Sequence, residues 1–428
     1  SAGPAVGERG EQLARETGRG RIIARSAPHE MSVCGYLADV EGNLEFFERY
    51  MEISRVLSWE GDRRDALVLK DDCHFVYGGD SVDKGIGDVR FVKLLNKLKE
   101  KHPDRVHMII GNRDCNKLRL SVELSEEALE KALEDTSFPY WLPEKDRVTP
   151  KKFLEDEGNL PNTMHNRLKW MLKHTMGADG AFDRRRVELA LTQGKEESAV
   201  TDDEVLKSYI DMVTPGHEDG FMLKYMENGR LAHMFGGVLF VHGAVTEENA
   251  GTLPNTQAKC ASVGEWVEAL NAFCTAELDA YKKAPMGCPP EGFHYTKRPA
   301  HALMDYGVPG GADGKSVIYA GFNGKDGNPQ PLAQSVEGFL KAGGVRLICA
   351  GHVPHGDCPS VVRGDSVHFL TSDTSYSKFG HKTSWGVDNR GVAVGEVLLT
   401  KEGSATCHGI LADGTKYEYV LGAPGQAG

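Results

Sequence analysis

The stretch CHFVYGGDSVDKG, residues 73–85, decides how this chain folds. Its first half, CHFVYGG (73–79), is apolar and β-prone, which predicts a buried strand. Two glycines then open directly into Asp80, Asp83 and Lys84. A core strand that ends in charge places that charge at a carboxyl end, where ligands gather in open α/β sheets.

Working outward, the same pattern recurs. VCGYLA (33–38) runs into Asp39 and Glu41, and VHMIIG (106–111) runs into Asn112, Arg113 and Asp114. GVLFVHG (237–243) carries His242, and VRLICAG (345–351) leads into GHVPHG, with His352 and His355. SVHFLTSD (366–373) and GVAVGEVLL (391–399) predict two further strands, and ILADGTKYEYVL (410–421) a closing hairpin turning at Asp413–Gly414.

Between the strands the signals are helical. DVRFVKLLNKLKEKH (88–102) spaces Val92, Leu95 and Leu98 on one face. SEEALEKALED (125–135) opens with Ser125 and two acids, as a capped helix does. MHNRLKWMLKHT (164–175) sets Leu168, Met171 and Leu172 on one stripe. The stretches 120–235 and 246–340 read as mainly helical insertions rising from the loop face and capping it. The expected architecture is therefore α/β, with layered sheets and helices outside. Residues 1–30 are expected to form a mobile N-terminal segment, and 31–424 a single domain.

The chain has 428 residues and a net charge of −12, which argues against general nucleic-acid binding. Nine dispersed cysteines without a C-x-x-C pair fit reduced thiols inside a cell rather than a disulfide framework or zinc ribbon. No apolar run approaches the roughly 20 residues of a membrane helix. Intracellular, most simply cytoplasmic, is the expected location, with an organelle the alternative if the N-terminal segment is the tail of a processed transit segment.

Asp, Asn and His from separate strand ends can meet at one point. Two divalent ions about 3.5–4 Å apart need a bridging carboxylate with oxygen and nitrogen ligands on either side. Asp80 is the natural bridge. Asn112, His242 and His352 would complete one ion, and Asp39 and Glu41, with His355, the other.

This order of blocks resembles the calcineurin-like metallophosphoesterases. GGDSVDKG resembles the signature of their serine/threonine phosphoprotein phosphatase and diadenosine tetraphosphatase branch. The resemblance implies a two-sheet β-sandwich flanked by helices. It also implies metal ligation by Asp39, Asp80, Asn112, His242 and His352. Lys84 then stands at a phosphate-binding arginine, and Asp83 at a carboxylate that orients a catalytic histidine.

Three residues depart from that pattern. Glu41 replaces a histidine, which makes a harder site suited to Mn²⁺ or Mg²⁺. Lys84 keeps the charge of arginine without its fork. Arg113 replaces the usual acid and does not donate a proton at ordinary pH, but would clamp phosphate with Asn112. His355 is then a candidate acid. Asn116, Lys117 and Arg119 are candidates for substrate contact. The RRR run at 184–186 reads first as a solvated helix face, and the hydroxyls of SDTSYS (372–377) as pocket lining.

The expected activity is metal-dependent hydrolysis of a small phosphorylated molecule or nucleotide. Phosphoprotein and dinucleoside polyphosphate substrates are the enzymatic alternatives. A scaffold that has lost catalysis and binds proteins is the alternative of another class.

Overall fold

The computed structural model describes residues 33–130, 133, 138–254, 256, 259–285, 298–324, 328–374, 382–383, 386–387 and 392–425. The N-terminal segment 1–30 lies outside them, as do Cys288 and residues 375–377 of SDTSYS.

The strands are β1 (Val33–Leu37), β2 (Leu57–Trp59), β3 (Leu67–Leu69), β4 (Cys73–Tyr77), β5 (Val106–Ile109), β6 (Gly229–Arg230), β7 (Ala232–Phe235) and β8 (Val238–Val241). They continue as β9 (Leu347–Ala350), β10 (Ser360–Val362), β11 (His368–Thr371), β12 (Lys382–Thr383), β13 (Gly386–Val387), β14 (Val394–Leu399), β15 (Ala405–Ile410) and β16 (Lys416–Leu421).

One sheet has the order β16-β15-β14-β1-β4-β5-β6 and another the order β10-β11-β9-β8-β7. In the first, β1, β4, β5 and β6 run parallel. In the second, β8, β9 and β11 do. The expected closing hairpin is β15–β16, turning through Gly414 at positive φ.

Side-chain alternation along β1 explains the layering. Cys34, Tyr36 and Ala38 belong to a buried cluster with Val76, Ile109, Val238, Phe240, Cys349 and Leu370, drawn from both sheets. Leu37 belongs to the larger cluster, which includes Phe46, Phe91 and Leu95 of the helices Leu44–Ile53 and Asp88–Lys101. That second helix buries Val92, Leu95 and Leu98 as its periodicity predicts, and places Lys99 and Lys101 at its carboxyl end. Leu168, Met171 and Leu172 of Met164–His174 are likewise buried. The capped helix expected from Ser125 is described over Glu126–Glu130.

Three expectations change. The stretch 120–235 does not remain helical to its end, because β6 and β7 close it and join the sheets. The RRR run is not a solvated face: Arg185 is buried over Tyr209 and paired with Asp88, while Arg186 contacts Asp202. Lys117 is buried in a pair with Asp83, which removes it from substrate contact, whereas Asn116 and Arg119, the latter paired with Glu123, line a cavity of about 380 Å³. The eight described cysteines are all free. No described helix is long and apolar enough to cross a membrane.

Glu396 on β14 ties the first sheet to its helix. It accepts from Tyr50 Oη at 2.8 Å, Ser54 Oγ at 2.6 Å and the Arg55 amide at 2.6 Å, and meets His408 Nε2 at 2.9 Å. A histidine pair ties one sheet to the other: His107 on β5 stacks on His233 of β7 with ring centroids 3.7 Å apart. Burial, then neighbouring cations, pushes His107 down to about 4 and His233 down to about 2. Folded protein therefore binds fewer protons than unfolded chain below the ordinary histidine value of about 6.5. The pair's contribution to stability should be level above that value and fall as pH drops towards 4. In urea unfolding, the stability of wild type relative to His233→Phe should fall as pH drops; a difference independent of pH would mean that the pair carries no slope.

Candidate metal centre

Each site residue follows a strand. Asp39 and Glu41 follow β1, Asp80 follows β4, Asn112 follows β5, His242 follows β8 and His352 follows β9. Parallel neighbours bring these ends to the same edge of their sheets. The turns are tight: Asp39, Glu41, Asp80, Asp83 and His352 all have positive φ, between 51° and 103°. Such conformations are uncommon for residues with a Cβ, and persist where the surroundings enforce them.

Asp114 is one enforcer. Its carboxylate accepts from the amides of Asp80 (3.0 Å), Ser81 (2.9 Å) and Gly111 (2.8 Å), and from Ser81 Oγ (2.7 Å). The helix Ala181–Gln193 holds the same loop from behind. Arg184 Nη2 donates to the Asp83 carbonyl at 2.8 Å, and Asp88, paired with Arg185, accepts from the Asp83 amide at 3.1 Å.

Among the described residues, one trio of histidine, cysteine or acidic side chains brings its donor atoms within 4.8 Å of one another: Asp80, His242 and His352. Asn112 Oδ1 faces the same point, 2.9 Å from His352 Nδ1, 3.2 Å from His242 Nε2 and 3.2 Å from Asp80 Oδ2. His242 Nε2 lies 3.3 Å from Asp80 Oδ1. Neighbouring ligands of an octahedral ion with bonds of about 2.1 Å stand about 3.0 Å apart, so these spacings fit a first-row divalent cation. Turned over, the Asn112 amide would donate to the same three atoms; with its oxygen inward, it completes a ring of acceptors that a cation binds.

The tautomers agree with this reading. His242 Nδ1 sits 2.8 Å from the Gly78 carbonyl, a bond that needs the proton there and aims Nε2 into the ring; against burial, Asp80 raises this imidazole above its ordinary value, so an entering cation would displace the Nε2 proton. Burial, then His242, pushes His352 down to about 3, so its imidazole is neutral. Burial opposes ionisation of Asp80, but His242, Arg113 and His352 outweigh it and hold its carboxyl well below the usual range.

The remaining expected ligands sit differently. Asp39 accepts from the His352 amide at 3.1 Å, and burial, then Asp373, Asp80 and Glu41, raises it well above the usual range. Glu41 lies 2.6 Å from Arg113 Nε; burial raises it to about 7 against the pull of that guanidinium. Asp83 meets Lys117 at 2.8 Å and Arg113 at 3.5 Å. His355, on the same loop as His352, is not part of the converging trio. Lys84 is half-buried and makes no ion pair within 4 Å among the described residues.

A cavity of about 380 Å³ adjoins the ring, lined by Asn112, Arg113, Trp141, Lys173, His174 and Tyr319 among others. Tyr319 also packs edge-on against His352, with centroids 4.6 Å apart. Sequence reasoning missed Tyr319, because SVIYAG (316–321) lies in a stretch read as insertion. It missed Asp373 too, although that residue follows β11 by the same strand-end rule that found the others.

No protein-family model and no curated protein sequence matches the chain. Among solved structures, one match is a protein serine/threonine phosphatase from Saccharomyces cerevisiae with similarity to human phosphatase PP5. It is 12% identical, the match covers 87% of this chain and 74% of that one, and the TM-score is 0.37. A superposition that loose carries no argument, and the chemistry rests on the ring itself.

The ring depends on close backbone approach at Gly111, where a Cβ would lie 2.2 Å from Asp80 Oδ1 and 2.4 Å from the Asp80 amide nitrogen. Gly111→Ala should displace that carboxylate and weaken Mn²⁺ binding at least about tenfold by isothermal titration. Gly264→Ala, where a Cβ meets nothing within 4 Å, should leave affinity unchanged. Equal affinities in the two variants would mean that Asp80 is no ligand.

Proposed function

We propose that the protein is a metal-dependent hydrolase of phosphate esters or anhydrides, acting on a small phosphorylated molecule. The observation that carries this reading is the ring of Asp80, Asn112, His242 and His352 at the strand ends, set beside a cavity that Arg113 lines. The reading includes a two-sheet sandwich as scaffold, with the helical stretches on either side of β7 and β8 capping its loop face.

The four ring residues would hold the ion, with Mn²⁺ favoured over Mg²⁺ because two ligands are imidazoles. A divalent ion held there polarises a phosphoryl oxygen and lowers the pKa of water towards neutrality. The chain supplies the rest. Lys84, which makes no ion pair within 4 Å among the described residues, binds equatorial phosphoryl oxygens and stabilises charge as it spreads over them. Arg113 lines the cavity, and its Nη2 makes no hydrogen bond among the described residues, so it is available to the same oxygens. Tyr319 and the Gly78 carbonyl fix the two imidazole planes. The cavity takes the remainder of the substrate, and its volume suits a small molecule better than a protein chain.

Arg113 also sets a preference. It keeps its proton, because burial favours loss but Glu41, Asp80 and Asp83 outweigh burial. Where a proton donor would serve a basic alcohol, a guanidinium serves a leaving group that departs as an anion. Anhydrides, including nucleotides and dinucleoside polyphosphates, and aryl esters therefore suit the site better than alkyl monoesters or phosphoserine peptides.

With added Mn²⁺, kcat/KM should be higher for anhydrides and p-nitrophenyl phosphate than for alkyl phosphates. Asp80→Asn should lower it by about 100-fold or more through lost metal, and Lys84→Met should lower kcat as well as kcat/KM, because the charge it stabilises develops in the transition state. A wild-type protein that holds its metal and turns over none of these would leave the scaffold reading.

A further inference from the structure

The carboxylates beside the ring pose a separate problem. Asp39, Glu41 and Asp80 are all buried, and each raises or is raised by another. Such a group needs a positive charge. In a two-ion centre that charge would be a second metal, bonded to Glu41 and Asp80 at a little over 2 Å. Here the space already holds an atom. Arg113 Nε lies 2.6 Å from Glu41 Oε1 and 3.4 Å from Asp80 Oδ2, while Nη1 reaches Asp83 Oδ2 at 3.5 Å and the Gly177 carbonyl at 3.3 Å. The Arg113 amide donates to Asp80 Oδ1 at 2.9 Å, so backbone and side chain grip the same carboxylate. Consistent with this, Asp39, Glu41 and Asp80 form no trio of donors within 4.8 Å.

We propose that the Arg113 guanidinium is the second cation of this centre, occupying the carboxylate pocket of Glu41 and Asp80, so that the chain binds one divalent ion. Glu41 is then the anchor of Arg113 rather than a metal ligand. Its place in the first strand-end loop matches this role, since a neutral imidazole there would offer the guanidinium no countercharge. Asp83 and its buried partner Lys117 complete the alternation of charge on the far side. The inference rests on the ring holding a metal, and not on any activity.

Electron paramagnetic resonance with metal analysis tests it. The chelator-stripped wild-type protein is titrated with Mn²⁺. It should take one tight ion per chain and give the hyperfine sextet of an isolated ion. Arg113→His opens the pocket and supplies a ligand, and should take two ions with an exchange-coupled spectrum. Glu41→Gln should still take one. Two coupled ions in the wild type overturn the proposal, whatever the variants do. So does a folded Arg113→His protein that still holds one. No bound ion in the wild type overturns the ring reading and this proposal with it. One ion without turnover overturns the hydrolase reading alone.

Discussion

Asp80 is the constraint on which the site depends. Its carboxylate is buried, and a buried anion must be matched by positive charge or donors. It meets His242 on one side, and on the other the Arg113 guanidinium and amide. Every neighbouring feature follows from keeping that group ionised and in place. Asp80 adopts positive φ to aim it, Gly111 gives it room, and Asp114 holds its backbone amide.

The support reaches well beyond the strand ends. Asp88 begins the helix that packs on the first sheet, yet its carboxylate also accepts from the Asp83 amide and pairs with Arg185. Glu188, on the helix of Arg185, accepts from the amides of Val89 and Arg90 at 3.0 Å each. Two helices distant in sequence thus exchange charge through the loop that carries Asp80 and Asp83. Deleting one member would strand a buried charge, so these helices are tied to the site energetically and not merely set beside it.

Much of this was legible in the sequence, for a physical reason. Strands of the core are short apolar runs, and a run that stops at glycine and then turns acidic or basic marks a strand end facing a ligand. That rule singled out Asp39, Asp80, Asn112, His242 and His352 without knowledge of pairing order; the structure brings the last four together and leaves Asp39 outside their ring. It failed where the signal is not local. Arg184–Arg186 looked solvated because charge in a helix usually is; partners at Asp83, Asp88 and Asp202 are visible only in three dimensions. Lys117 looked like a substrate contact because it follows the GNRD block, but Asp83 claims it. Tyr319 reaches His352 from a segment with no strand of its own, held by the bond from the Gly243 amide to the Val317 carbonyl.

Glu41 and Arg113, the departures from the pattern that the sequence resembles, look like damage one at a time and make sense together. A carboxylate for an imidazole adds negative charge, and a guanidinium for an imidazole adds positive charge that is never titrated away. Placed 2.6 Å apart, each answers the other. On the proposed reading the two charges cancel, so the centre carries about two fewer positive charges than a two-ion site would, and its second cation is covalently part of the chain. It gives up the proton that an imidazole could have passed to a leaving group. On the proposed function it retains a positive charge to which phosphoryl oxygens would be drawn.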